Sequence, residues 1–482
     1  ERHIQHMKYK LLRNRTITAL RNDRRELAAE ELKKGKNPWH VANSLLGKER
    51  DSSFPLIEDG RPLQTDLEKA ETMNAFFIEK IRGLRKRIDT SAAPCPIQKL
   101  RERYRNWNVE FSFRDVSVRE VEQILKKMKK SRSSGVDGIS TETIKPVIKE
   151  VAPAIAEVIN SSLQEGIFPE VFKLAKVISI YKNKGAKSDK ANYRPVSNLA
   201  LFGKCIEVAV DIQLRMYCEK YGLLGAHQHG FRRLRSTSTA LLTAVTQWRA
   251  RKADKKFQGV LLFDLSAAYD LVDKDVFLAK AKIYGIKGQA YAWLKSYLSN
   301  RKQVVQVNAA QSTSVALEFG IPQGSSCSCL VFALFVGDIS EWIDNSHVLA
   351  YADDTFISVE ADTLLELEEK LEQEGNKVLS YFEGNRFVTN PTKTGLLVIR
   401  PNNRGKENSP ITINLSGAKV EEVSETKLLG MCLTSDLKFH KHLEKLTSDI
   451  NYSASLVWRV RRCLDQRVLK MMVNGLLMSK VR

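Results

Sequence analysis

No stretch of the 482 residues stays apolar for more than seven positions, the longest being Leu330 to Val336. A bilayer-spanning helix needs roughly 20, so no membrane partner is expected. No secretory signal is read at the start. Glu1-Arg2-His3-Ile4 is charged and lacks methionine, and reads as a cut from a longer chain. Cysteine is sparse: there are 7, none in a Cys-x-x-Cys pair and none with histidine at zinc-ligand spacing. That excludes a disulfide scaffold and a zinc ribbon, and predicts reduced thiols in an intracellular protein. Cys327 and Cys329, flanking a single serine, read as packing residues. No internal repeat or low-complexity tract is present. Acids are also short, with 56 Asp and Glu against 77 Lys and Arg, a formal charge of +21. A balance that basic points to a polyanionic partner; a merely basic soluble protein is the alternative. Hydrophobic content of 43% with 28% charged residues suits a folded chain of two to four domains.

What is there begins with a basic, helix-prone stretch to about residue 50. Its closely spaced Lys8, Lys10, Arg13, Arg15, Arg21, Arg24 and Arg25 precede Trp39, giving either a solvated face or an RNA-binding one. Asp66 to Arg87 reads as a helix with Leu67, Ala70, Phe77 and Ile81 on its apolar stripe, and Ser91 to Pro96 as a break. Val116 to Lys130 reads as an amphipathic helix ending in the loop Ser133-Ser134-Gly135-Val136-Asp137-Gly138. Leu174 to Tyr181 reads as a strand leading into a lysine-rich turn. Gln258 to Leu265 is a buried strand that delivers Asp264, with a helix from about Asp273. Phe319 to Gly324 is a tight turn before an apolar helix. Asp362 to Phe382 is an acidic amphipathic helix, Asn402 to Ser409 a polar loop, and Asp449 to Arg482 a basic helical end.

The chemistry concentrates in Val348-Leu349-Ala350-Tyr351-Ala352-Asp353-Asp354-Thr355-Phe356-Ile357, two β-prone runs joined at a pair of acids. A hairpin brings both carboxylates toward one spot, where they repel unless a cation lies between them; hard divalent ions with oxygen ligands suit such a place. A polar Asp-Asp turn is the alternative for the pair alone. Asp264, at the end of an apolar strand, is either a third acid for that site or a cap for the next helix.

In order along the chain, FKLAKVISIYKNKGAKSDKANYRPVSNL (172–199), HQHGFRRLRSTSTALL (227–242), FDLSAAYDLVD (263–273), GIPQGSS (320–326), YADD (351–354), NPTKT (390–394) and KLLGMCL (427–433) resemble the reverse transcriptase domain of non-LTR (LINE-type) retrotransposons. NPWHVANSLLG (37–47) and KAETMNAFF (69–77) resemble the segment joining endonuclease to polymerase in that family. The resemblance implies an α+β right-hand polymerase, with fingers, a ferredoxin-like antiparallel palm and a partial helical thumb. It sets residues 1–110 as a basic helical extension, 111–250 as fingers, 251–435 as palm and 436–482 as the start of a truncated thumb.

It further implies an RNA-directed DNA polymerase that copies element RNA from a nicked genomic primer. Template RNA, primer DNA and dNTPs would be its partners, and an endonuclease domain would lie on the full-length chain. The setting would be the nucleus at integration and the cytoplasm as a ribonucleoprotein. Asp264, Asp353 and Asp354, with the Leu265 carbonyl, would hold two Mg2+ ions, Mn2+ serving as a substitute, which stabilise the attacking and leaving oxygens. Asp353 would bridge both ions with Asp264, leaving Asp354 more peripheral. Tyr269 matches a steric gate against the ribose 2′-hydroxyl, Gln323 and Gly324 the loop on the incoming nucleotide, and Arg194, with Lys176 and Lys182, triphosphate binders. Lys393 matches a lysine that protonates pyrophosphate, and Leu428-Leu429-Gly430 the primer grip. Departures from the family pattern are Ser326-Cys327-Ser328-Cys329 after the Gln-Gly-Ser, Gly337-Asp338 where Asn-Asp is usual, and no proline before Gly135. An RNA-dependent RNA polymerase, an intron-type maturase and an inactive or domesticated nucleic-acid-binding relative are the competing readings.

Overall fold

The computed structural model describes residues 2–47, 54–88, 93–389, 393–401 and 409–481. Ser91 and Ala92 of the Ser91–Pro96 break, Asn402 to Asn408 of the Asn402–Ser409 loop and Asn390 to Thr392 of the NPTKT motif lie outside them. The chain divides into two units: Phe54–Gly430 with Ser435–Leu437, and Glu1–Ser53 with Met431–Thr434 and Lys438–Arg482. No described helix is long and apolar enough to cross a membrane.

In the larger unit seven strands matter here: β1 (Leu174–Tyr181), β2 (Tyr193–Asn198), β3 (Phe257–Phe263), β4 (Lys302–Val307), β5 (His347–Tyr351), β6 (Asp354–Ala361) and β7 (Gly395–Ile399). Five of its helices are labelled: α1 (Asp66–Lys86), α2 (Leu201–Lys220), α3 (Thr237–Ala253), α4 (Ser326–Phe335) and α5 (Leu364–Gly384). Helices and sheets are mixed, as an α+β chain requires.

The first sheet is wholly antiparallel, in the order β7-β3-β6-β5. β3 reads Phe-Gln-Gly-Val-Leu-Leu-Phe and is buried on both faces, which is why its apolar run does not alternate. Its one amide, Gln258, is satisfied by donating Nε2 to Trp248 O at 2.7 Å. On one face α5 packs Leu367, Leu371, Val378 and Phe382. On the other, Trp248 of α3 meets Phe356 edge-on. In the second sheet β1 and β2 form an antiparallel hairpin that sets Ile180 opposite Arg194, while β1 runs parallel to β4.

α1 is fixed by a Thr65–Glu68 capping box. Its buried face consists of Ala70, Met73, Asn74 and Phe77, whereas Leu67, expected on the stripe, is 52% exposed. The helix expected from Val116 is shorter, Val118–Lys127, and Val118 is also exposed.

In the smaller unit a long helix, Arg2–Lys33, is mostly exposed. Its Ala28 joins Val41, Ala42, Val460, Leu464, Val468 and Met472 in a separate core. The basic C-terminal helix starts at His440, earlier than expected, and runs to Val460 before a second one, Gln466–Val473.

Candidate active site

The β5–β6 hairpin turns in two residues, because Asp354 pairs with Tyr351 across it. Ala352 and Asp353 are the central residues, and Ala352 takes a left-handed φ of 58°. A left-handed first central residue gives the twist that matches flanking strands. Asp353 therefore sits in the turn itself and Asp354 opens β6.

The register supplies the third acid. Thr355 lies opposite Phe263, so the next step outward sets Asp354 against Asp264, just past the end of β3. Asp264 does not cap a helix: the short helix that follows, Ala268–Leu271, has Ala267 at its cap position. Leu265 is buried and bridges Thr389, and Ser266 N donates to Val388 O at 3.0 Å. That pairing carries the chain toward Lys393, whose Nζ donates to Asp264 Oδ2 at 3.0 Å. Asp264, Asp354 and Lys393 line an open cleft of about 560 Å3, with Leu428, Leu429 and Gly430 on its rim.

The electrostatics identify a strained anionic cluster. Burial raises the Asp353 carboxyl above the usual range and the charge of Asp264 raises it further, while its own N–H and Arg194 partly offset this. Burial likewise raises Asp354, and both other acids add to it. Like charges left together this way are relieved by a cation. All the side-chain donors are carboxylate oxygens, the set that hard divalent ions take. Among the described residues no group of three or more histidines, cysteines, aspartates and glutamates is arranged so as to hold a metal ion by itself. The fit to a divalent ion thus rests on the donor chemistry and mutual repulsion, and Asp264 has a lysine on one oxygen.

The Phe319–Gly324 turn docks on the segment after Asp264. Gly320 N donates to Val272 O and Ile321 N to Tyr269 O, both at 2.9 Å. Its far side reaches β2, where Ser197 N donates to Gln323 O at 3.0 Å. Gly324 is required here: its φ is +112°, and a Cβ would sit 2.8 Å from Ser197 O. The Gln323 amide is held by Asp270, Nε2 to Oδ2 at 2.8 Å. Tyr269 stacks on Phe332 of α4, centroids 4.7 Å apart and planes 14° apart. Its hydroxyl is buried beside the Cys329 thiol with no oxygen or nitrogen partner, and burial pushes it well above the ordinary phenol range, the thiol and Asp353 adding to this. Cys327 is fully buried and Cys329 half-buried, as packing residues would be.

The cations are distributed unequally. Lys182 Nζ donates to Ala191 O at 2.7 Å, and its ammonium is destabilised by burial first and then by Lys80, Arg194 and Lys393. Arg194 also acts on Asp353. Lys176 instead lies at the far end of the β1–β2 hairpin, opposite Asn198, with Nζ 3.3 Å from Ser134 Oγ.

Two residues went unrecognised in the sequence. Lys80 of α1 lines a cavity of about 70 Å3 with Asp270 and Gln323. Asp270, next to the expected gate, has its carboxyl pushed up to about 6 by burial, against the opposing Gln323 bond and Lys80. Only an acid adjoining an aromatic in FDLSAAYDLVD hinted at the second; nothing in the local sequence marked the first.

Residues 181–433, more than half of the chain, match the family described as reverse transcriptase (RNA-dependent DNA polymerase). Curated relatives include "RNA-directed DNA polymerase from mobile element jockey" of Drosophila melanogaster, 25% identical over 338 residues, covering 69% of this chain and 36% of the relative. "Probable RNA-directed DNA polymerase from transposon BS", also of Drosophila melanogaster, is 26% identical over 343 residues, 69% of this chain and 37% of the relative. A third, "Probable RNA-directed DNA polymerase from transposon X-element" of the same fly, is 23% identical and covers 81% of this chain and 42% of its own length. The chain thus spans well under half of each of these relatives.

Proposed function

The chain belongs to the reverse transcriptase (RNA-dependent DNA polymerase) family, and on that premise we propose that it is the RNA-directed DNA polymerase of a non-LTR retrotransposon, extending a DNA primer on element RNA. One observation carries the reading: β3 and the β5–β6 hairpin bring Asp264 opposite Asp354 with Asp353 beside them, mutually repelling. The β7-β3-β6-β5 sheet is then the palm, the β1–β2 hairpin belongs to the fingers, and residues from 436 begin a thumb.

Asp264, Asp353 and Asp354, with the Leu265 carbonyl, would hold two Mg2+ ions, or Mn2+ in their place. Such ions stabilise the attacking and leaving oxygens in phosphoryl transfer. Arg194, Lys182 and Lys80 set positive charge where a triphosphate meets the acids. Tyr269 presents its ring edge to the sugar, and the rim at Leu428–Gly430 places the primer end. The primer 3′-oxygen then bonds to the α-phosphorus as the bond to pyrophosphate breaks. Lys393, which donates to Asp264, would give pyrophosphate its proton. Target-primed copying and an endonuclease on the full-length protein belong to the same proposal.

The experiment is primer extension on primed RNA with Mg2+ and either dNTPs or rNTPs. dNTPs are expected to extend the primer, rNTPs poorly, and Asp353→Asn to abolish extension. Extension that survives Asp353→Asn removes the acid-site assignment. Wild-type binding without extension supports the non-catalytic reading instead.

A further inference from the structure

Behind the catalytic hairpin lies a glutamine with no exposed surface, Gln228. Its backbone runs parallel to Ala350 as an isolated bridge. Ala350 N donates to His227 O at 3.0 Å, and His229 N donates to Ala350 O at 2.8 Å. The side chain then reaches past this bridge into the turn. Gln228 Oε1 accepts from Gly230 N at 2.8 Å and from Ala352 N at 3.1 Å. With two N–H groups converging on one atom, the amide orientation is determined by its partners. Gly230 is the other half of the arrangement, since a Cβ there would collide with Ala352 N.

Ala352 is the left-handed residue of the turn, immediately before Asp353. Alanine adopts that conformation only where its surroundings hold it, and its N–H points away from the strand ladder, so it needs a buried acceptor. Gln228 is that acceptor. Without it the N–H is orphaned in a disfavoured conformation, and the peptide before Asp353 is free to rotate, carrying the Asp353 carboxylate away from Asp264. We propose that Gln228 is a positioning residue: it fixes the Ala352 turn and thereby sets the spacing of the acids that bind the divalent ions. This rests on the polymerase reading of the site.

The test uses the purified chain and two readouts, Mn2+ binding by electron paramagnetic resonance and the Mg2+ dependence of primer extension. Gln228→Met matches the side chain in length but removes the acceptor. It is expected to weaken Mn2+ binding at least tenfold and to raise the Mg2+ needed for half-maximal extension by a similar factor. The KM for dNTP, set by the cations of the cleft, should move less than threefold. Adding Ala352→Gly should restore most of the Mn2+ affinity, because glycine adopts a φ near +58° unaided. A residue that merely supports the fold would not be rescued at that position. Unchanged Mn2+ binding in Gln228→Met, or a double variant no better than the single, overturns the proposal. If the methionine variant fails to fold, Gln228→Asn, which withdraws the acceptor but keeps the amide, must show the same weakening and the same rescue. Failure of the polymerase reading looks different: wild-type protein would then show no Mn2+ binding that Asp353→Asn removes.

Discussion

Replacing Tyr269 in two ways separates its ring from its hydroxyl. The hydroxyl is buried without an oxygen or nitrogen partner. Deleting it in Tyr269→Phe removes an uncompensated polar group and should stabilise the fold by about 1 kcal/mol. The ring, its stack on Phe332 and the bulk that the proposed gate would set against the sugar all stay, so discrimination between dNTP and rNTP should be unchanged. Tyr269→Val removes the ring. The lost stack costs about 0.5–1.5 kcal/mol, and the cavity left at a half-buried site adds on the order of 2 kcal/mol. The gate itself should relax by at least tenfold in the ratio of kcat/KM values, the equivalent of about 1.4 kcal/mol. The assay is single-nucleotide extension on primed RNA with matched dNTP and rNTP series, alongside thermal unfolding of each variant. If Tyr269→Val still extends with dNTP but keeps wild-type sugar selectivity, the gate reasoning fails. A phenylalanine variant that loses selectivity would refute it from the other side, by giving the role to the hydroxyl.

Asp270 gives a prediction in pH. Its carboxyl rises to about 6 in the folded chain, so the ionised form is disfavoured there relative to the unfolded chain. Folded protein binds more protons between about pH 4 and 6, and this contribution to stability falls as pH rises through that window. Asp270→Asn, which can still accept the Gln323 N–H, should gain on wild type across it by up to about 3 kcal/mol; a stability difference that stays constant from pH 4 to 8 refutes this. Lys280 is fully buried, its Nζ bonded to Asp338 Oδ1 at 2.7 Å and Phe335 O at 2.8 Å, and Tyr381 donates its hydroxyl to the same Asp338 oxygen. Lys280→Met should cost about 3–5 kcal/mol by stranding the carboxylate, and Asp338→Asn in the same chain should recover much of it; urea unfolding of single and double variants checks both.

Asp264 and the Asp353-Asp354 pair stood out because they are charges at the ends of apolar strands, whereas Lys393 came only from the resemblance of NPTKT; the structure sets its Nζ 3.0 Å from Asp264 Oδ2. β1 was readable to the residue, since an apolar run bounded by a lysine-rich turn has few other solutions. Positions whose role is set by distant chain were not. On α1, helical spacing favoured Leu67 over Asn74, yet Asn74 is buried because it donates to Ser312 Oγ and Thr313 O across more than 200 positions. In Gly337-Asp338 the sequence marked only Gly337 as a departure, while Asp338, which matches the family pattern, neutralises a lysine 58 positions earlier. Gln228 was visible as part of a motif, but its task depends on the conformation of one alanine more than a hundred residues on.

The parallel alignment of β1 with β4 has a consequence for how the chain is made. Leu174 pairs with Lys302, and the segment between them includes β3, which itself waits for β6 and β7. While the ribosome adds these residues, at roughly 5–20 per second, β1 has only the β2 hairpin beside it and leaves its other edge open. Neither sheet can close until most of the larger unit has left the exit tunnel. Fragments ending before Val307 should therefore aggregate through that edge rather than fold into smaller working pieces.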